Sequence, residues 1–213
     1  MQVNHQARAV AAELKRNKTR ARLIEAAMRV IAVKGPSGVS VSDIAVASGL
    51  SRGAFYNYFP QPGDLIAAVA DKIRGDLRGI AADAGAAAQD PAEQLARICF
   101  TYYQLGLNDP VWGWVWLQTD AGALSPSRLV SERFEALFNR AVQLGLFRPV
   151  DPAAAASVAF GSVRMAVRMA LTKPSAPPDL CYETVLIVLI GLGMQEAAAA
   201  VMLERAGWRR ASA

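Results

Sequence analysis

Apolar residues recur along this chain at the spacing of helices, and alternation at the period of a strand is scarce. In the stretch TRARLIEAAMRVIAVKG, Ile24, Ala27, Met28 and Ile31 fall at i, i+3, i+4 and i+7, on one helical face opposite Arg22, Glu25 and Arg29. Gly35 and Pro36 stop that helix. The next apolar group opens behind Ser40, with Asp43 three residues on as in a capping box, and Ile44 and Ala45 turn inward. Gly49 ends this second helix after a few residues, and Ser51 caps a short third one, RGAFYNYF. Pro60, Pro62 and Gly63 break the chain again, and Asp64 caps a helix beginning at Leu65. Clusters of Pro, Gly and Asp divide the remainder into helices over 64–83, 91–107, 110–120, 126–145, 152–172 and 179–206. The pattern predicts an all-α protein of about nine helices.

The last two of these helices are apolar nearly all round, so both of their sides must be covered. The chain's own core covers one side, and a second copy is the natural cover for the other. Gly161, Ser162, Ala166, Ala170, Gly191 and Gly193 are small enough for close helix approach, while Val163, Val167, Leu186, Leu189 and Ile190 supply apolar area. Two helices from each copy predict a four-helix homodimer interface.

Composition narrows the class. With 213 residues, 53% of them hydrophobic and 19% charged, the chain can bury a real core. The net charge of +5 is unevenly placed: residues 1–60 hold nine Lys/Arg against three Asp/Glu, and the rest hold fourteen against fifteen. A basic surplus confined to the amino-terminal segment is expected where that segment meets a polyanion, although a solvated basic tail has the same signature. Cys99 and Cys181 each sit inside an apolar stretch and read as buried thiols in a reducing compartment. No charged start leads into an apolar signal core. The run VLIVLIGLGM at 185–194 is too short to span a bilayer, so no membrane is expected as a partner and the cytoplasm is the expected location.

Two brief helices joined by a tight Gly-containing turn, with a third in front to bury their apolar faces, form a helix-turn-helix. Ile44, Ala45, Leu50, Phe55 and Phe59 hold the unit together, which leaves Arg52, Gly53, Ala54, Tyr56, Asn57 and Tyr58 facing outward. A helix this short suffices to enter the major groove of double-stranded DNA, its first residues reaching base edges and its flanks holding phosphates. Arg22, Ser40, Ser42 and Ser51 complete the expected DNA-facing set. The segment SVSDIAVASGLSRGAFYNYFPQPGDL resembles the DNA-binding domain of the tetracycline-repressor (TetR) family of bacterial regulators. The likeness rests on Ser40, the Ile44-Ala45 pair, the Gly49-Leu50-Ser51 turn, Gly53 after one basic residue, the Tyr56, Tyr58, Phe59 ending and Leu65. It departs where the family usually carries a Lys three residues after the Phe, a phosphate contact; Pro62 stands there, without charge or amide donor. The resemblance implies a flexible basic arm over 1–18, a DNA-binding domain over 19–63, and a ligand-binding and dimerisation domain over 64–213. It further implies a homodimer that reads a palindromic operator, with recognition helices about 34–36 Å apart, and is released by a small-molecule effector.

The residues leave room for such a domain. In DPVWGWVWLQTD, Pro110 suits a first helical turn, and a helix puts Trp112, Val115, Trp116 and Thr119 on one side. With Phe100, Tyr103, Phe138, Phe160 and Met165 these tryptophans either pack as ordinary core or line an apolar pocket with Thr101 and Gln118 as polar fixers. A bulky, largely apolar effector is expected there. Arg164 and Arg168 share a face, for an anionic group or, more simply, an ion pair with Glu183 or a partner subunit. No catalytic residue, metal or cofactor is expected: the single His, His5, lies in the basic segment, and neither a phosphate loop nor a nucleophile elbow occurs. Two alternatives remain open beside the ligand-responsive repressor: a DNA-binding regulator controlled by a protein partner or not switched at all, and, disfavoured, an enzyme.

Overall fold

A computed structural model describes residues 2–118, 132–173 and 176–208. Among them the regular elements are ten α-helices and one 3-10 turn, in two compact units, Met1–Lys72 and Ile73–Ala213.

The first unit holds α1 (Gln2–Lys34), the 3-10 turn Pro36–Gly38, α2 (Val41–Ser48), α3 (Arg52–Tyr56) and the start of α4 (Pro62–Ala87). Helix α1 is 33 residues long and runs back through the segment expected as a flexible arm. Residues 2–18 contain no Gly or Pro and are rich in Ala, Glu, Lys, Arg and Leu, so local propensity favours helix even though residues 8–18 are exposed. Farther along, α1 becomes amphipathic: Leu23, Ala26, Ala27 and Ile31 are fully buried, and together with Ile44, Phe55, Phe59 and Leu65 they make the core of this unit.

The expected Ser40 capping box is formed. The Asp43 amide donates to Ser40 Oγ at 3.1 Å, and the Ser40 amide donates back to Asp43 Oδ2 at 3.2 Å. Ser51 caps α3 in the same manner, accepting from the Ala54 amide at 3.1 Å. Gly49 between them has φ 65°, the left-handed conformation that lets the chain leave α2 and enter α3 within three residues. Regular α-helix in α3 stops at Tyr56, shorter than the eight residues expected, although the Phe59 amide still donates to the Phe55 carbonyl at 3.0 Å. Helix α4 opens two residues earlier than expected. Pro62 takes its first position, and Asp64 reaches back to accept from the Gln61 amide at 2.9 Å.

The second unit contains the remainder of α4, then α5 (Pro91–Asn108), α6 (Pro110–Gln118), α7 (Glu132–Gln143), α8 (Pro152–Thr172), α9 (Leu180–Gly191) and α10 (Glu196–Arg205). The expected extensions of α6 to 120 and of α7 back to 126 lie outside the described residues. Asp90 and Asp151 cap α5 and α8, each followed by Pro at the first helical position. Helix α5 is central and packs against α6, α7, α8, α9 and α10. A half-buried ion pair runs along it: Glu93, 1% exposed, accepts from Arg97 Nε at 2.7 Å, and the Arg97 Nη2 donates onward to the Arg205 carbonyl at 2.6 Å.

The single helix expected over 179–206 is two helices. Gly193, at φ 114°, cannot continue a right-handed helix, and the preceding Leu192 carbonyl accepts instead from the Arg148 amide at 2.7 Å. The close approach of Arg148 leaves Gly193 no room for a side chain, so its smallness serves this corner rather than a subunit contact. Val163, Val167, Leu186 and Leu189, expected at a subunit interface, are buried within the chain, where α8 packs on α5 and α9. Of that set Ile190 and Gly193 are exposed, and so are Val158 and Met165 on α8 and Ile187 on α9. Helices apolar on all sides do not announce which side faces inward. Helix α8 is also long and apolar enough to cross a membrane by length and composition, but it carries Arg164 and Arg168 and buries its Ala156, Ala159, Val163 and Val167 stripe.

Candidate nucleic-acid interface and helical-unit cavity

The two capped turns hold α3 with its tip outward. Phe55 is fully buried against Phe59, at 5.9 Å between ring centres, while Ser51, Arg52, Gly53, Tyr56 and Asn57 are exposed and Ala54 and Tyr58 are half-buried. Ser40 and Ser42 are exposed at the start of α2, Ser40 with its hydroxyl committed to Asp43 at 2.7 Å. Lys34 Nζ donates to Asp43 at 2.7 Å, and this bond, followed by those from Ser40, holds the carboxyl down at about 2. Arg29 ties α1 to the end of α2 by donating to the Ala47 carbonyl at 3.1 Å.

Cations from α1 flank the reading tip. The Arg16 guanidinium lies 5.9 Å from the Tyr58 ring centre, and that of Arg20 lies 5.1 Å from Phe59. Arg22 lies over Gly49, where an added Cβ would come within 2.9 Å of its Nη2. Arg22, Ser40, Ser42 and the α3 residues therefore belong to one small capped unit. Composition marks Arg16 and Arg20 only as part of a basic amino-terminal segment; their ring contacts depend on how α1 packs.

The second unit contains a cavity of about 770 Å³, inside the range of small-molecule sites. One wall is α4, through Leu77, Arg78, Ala81 and Gly85; another is α7, through Arg133, Phe134, Leu137 and Arg140; Ile98 and Tyr102 of α5, Trp116 of α6 and Phe160 of α8 complete it. Tyr102 and Phe160 are 5.9 Å apart between ring centres, and Tyr102 meets Trp116 edge-on at 5.8 Å. Burial raises the Tyr102 phenol well above its ordinary value, so it stays protonated and donates to the Leu77 carbonyl at 3.1 Å. Trp112, in contact with Trp116 at 5.4 Å, donates from Nε1 to Asp76 Oδ2 at 2.9 Å.

Of the expected ligand residues, Trp116 and Phe160 line this cavity. The others are placed elsewhere. Phe100 and Tyr103 pack on Trp208, at 4.7 and 6.4 Å between ring centres, and Phe138 packs on Phe147 at 5.9 Å. The Thr101 hydroxyl donates to the Arg97 carbonyl at 3.0 Å within its own helix. Arg164 donates to the Leu117 carbonyl, and Met165 is exposed. Trp112 and Gln118 are on α6 but are not among the residues lining the cavity. Tyr102, Phe134 and the α4 wall were missed. The available signal was the stripe Leu77, Arg78, Ala81, Gly85, which falls on one face of α4 and leaves space through its small residues.

A capped helix-turn-helix unit followed by an all-helical unit is the arrangement of a DNA-binding transcriptional regulator, and comparison with known proteins agrees. The profile of bacterial regulatory proteins of the tetR family matches residues 23–69, and that of the tetracyclin repressor-like C-terminal domain matches residues 90–205. The chain belongs to the TetR family of transcriptional regulators, and it is not an enzyme. The uncharacterized HTH-type transcriptional regulator YvdT of Bacillus subtilis (strain 168) is 38% identical over 66 residues, a match that spans 34% of YvdT and 27% of this chain. Among solved structures, RolR in complex with resorcinol is 28% identical, covering 90% of this chain and 96% of its own, with a TM-score of 0.63. A TetR-family transcriptional regulator from Pectobacterium atrosepticum is 25% identical, covering 84% and 96%, with a TM-score of 0.61.

Proposed function

We propose that the protein is a ligand-responsive repressor that binds a palindromic operator as a homodimer and is released by a small molecule held in the cavity. The observation that carries this reading is α4. Its Leu65 belongs to the core of the DNA-binding unit, and its Leu77–Gly85 face walls the cavity on the same continuous helix. An effector that binds one position of α4 better than another shifts the population of DNA-competent dimers, and a few kcal/mol of differential affinity suffices. The resorcinol bound to RolR supports a small molecule as that effector. Arg52, Gly53, Ala54, Tyr56 and Asn57 read the groove, with Ser51 and Tyr58 at its edges. Arg16, Arg20 and Arg22 supply phosphate contacts in place of the Lys that Pro62 displaces. The dimer forms on the exposed stripe of Val158, Gly161 and Met165 with Ile187 and Ile190, a four-helix arrangement one face removed from that expected. It acts in the cytoplasm, where its DNA is.

Selection of bound duplexes from a random pool, with light scattering on the selected complex, tests the reading. A palindrome bound by two chains is expected, with weaker binding for Arg52→Ala and Tyr56→Phe. A monomer without preference among duplexes at moderate ionic strength refutes it.

A further inference from the structure

The cavity is chemically two-sided. Tyr102, Trp116, Phe134 and Leu137 are buried, whereas Arg78, Arg133 and Arg140, which line the same space, are exposed. Helical spacing aligns them: Arg133, Leu137 and Arg140 fall at i, i+4 and i+7 of α7, and Arg78 and Ala81 share a face of α4. No carboxylate of the described residues pairs with these three arginines. The acidic residue among the lining, Asp90, is engaged elsewhere: its Oδ1 accepts the Ala92 and Glu93 amides at 2.9 Å each, and its Oδ2 lies 3.9 Å from Arg205. A second observation is independent of charge. The wall facing these arginines is aromatic: Trp116, 2% exposed, Tyr102 and Phe160 meet ring against ring and line the same space, a surface that suits a flat apolar body.

We infer that the effector is an amphipathic organic anion: a ring-sized apolar body against Tyr102, Trp116 and Phe134, and a carboxylate held by Arg78, Arg133 and Arg140. Guanidinium groups match carboxylates in bidentate geometry and stay charged at every physiological pH. A fully apolar effector leaves the arginines unused. The inference rests on the reading of the cavity as the effector site and names the chemistry that site selects.

The test uses a matched pair of probes, 4′-hydroxybiphenyl-4-carboxylate and its neutral carboxamide, titrated calorimetrically into the full-length protein. The acid is expected to bind about tenfold tighter than the amide. In the Arg133→Gln/Arg140→Gln double variant, whose changed side chains are exposed, that ratio falls towards one; it is read within the variant, so any change common to both probes cancels. Equal affinities in the unaltered protein, or a ratio that survives the double variant, overturn the anion assignment and leave the cavity as a site. Binding of neither probe at millimolar concentration removes the cavity as the effector site, and the assignment with it.

Discussion

Gly53 occupies the second position of α3, exposed, and its φ lies outside the left-handed region. A Cβ built there meets nothing nearer than Ser51 Oγ at 3.9 Å. The free protein therefore accepts Gly53→Ala without displacement, and alanine is favoured over glycine in a helix by about 0.5–1 kcal/mol. Only part of that is realised in a first turn, so the melting temperature should rise by roughly 1–3 °C for a chain of this size. With α3 docked as proposed, the same methyl enters the space through which the backbone approaches the groove. Displacing one base-edge contact costs about 1–3 kcal/mol, or roughly 5- to 150-fold in affinity. Stability and binding should thus move in opposite directions. Thermal melts by circular dichroism and fluorescence anisotropy on a selected duplex measure the two. A variant more stable and equally tight-binding would remove the α3 tip from the interface, and a less stable one would show that Gly53 serves packing.

Two further outcomes follow from the geometry. Trp112→Phe deletes a bond to a carboxylate and should cost about 1.5–3 kcal/mol in urea unfolding, whereas Tyr102→Phe deletes a bond to a neutral carbonyl and should cost about 0.5–1.5 kcal/mol; the reverse order would contradict the Trp112–Asp76 contact. Asp43 is held at about 2 against an ordinary 3.8, so its contribution is complete from about pH 5 upward, declines as the pH drops past 3.8 and is lost as it falls through about 2. The stability gap between the native protein and Asp43→Asn should accordingly hold its full size from about pH 5 upward and close below about pH 2, and a gap that does not change with pH would contradict the Lys34–Asp43–Ser40 network.

What was legible in the sequence was local. Ser40 with Asp43, and Ser51, act on amides three residues away, and the Gly49 amide donates to carbonyls three and four residues back, so their roles are settled by near neighbours, and the helix-turn-helix unit follows from them together with the buried Phe55 and Phe59. The all-helical class followed in the same way from apolar spacing. Tertiary structure decided which side of a helix faces what. Helices α8 and α9 are apolar on several faces, and only their packing on α5 sends Val163 and Leu189 inward while leaving Met165 and Ile187 outside. The break at Gly193 involves Arg148, some 45 residues earlier, and Arg164 is spent on a carbonyl 47 residues away. The cavity likewise joins α4 to α7 across half the second unit. Short-range hydrogen bonds are written in residue order, whereas the choice among equivalent apolar faces is made by close packing, which no single segment specifies alone.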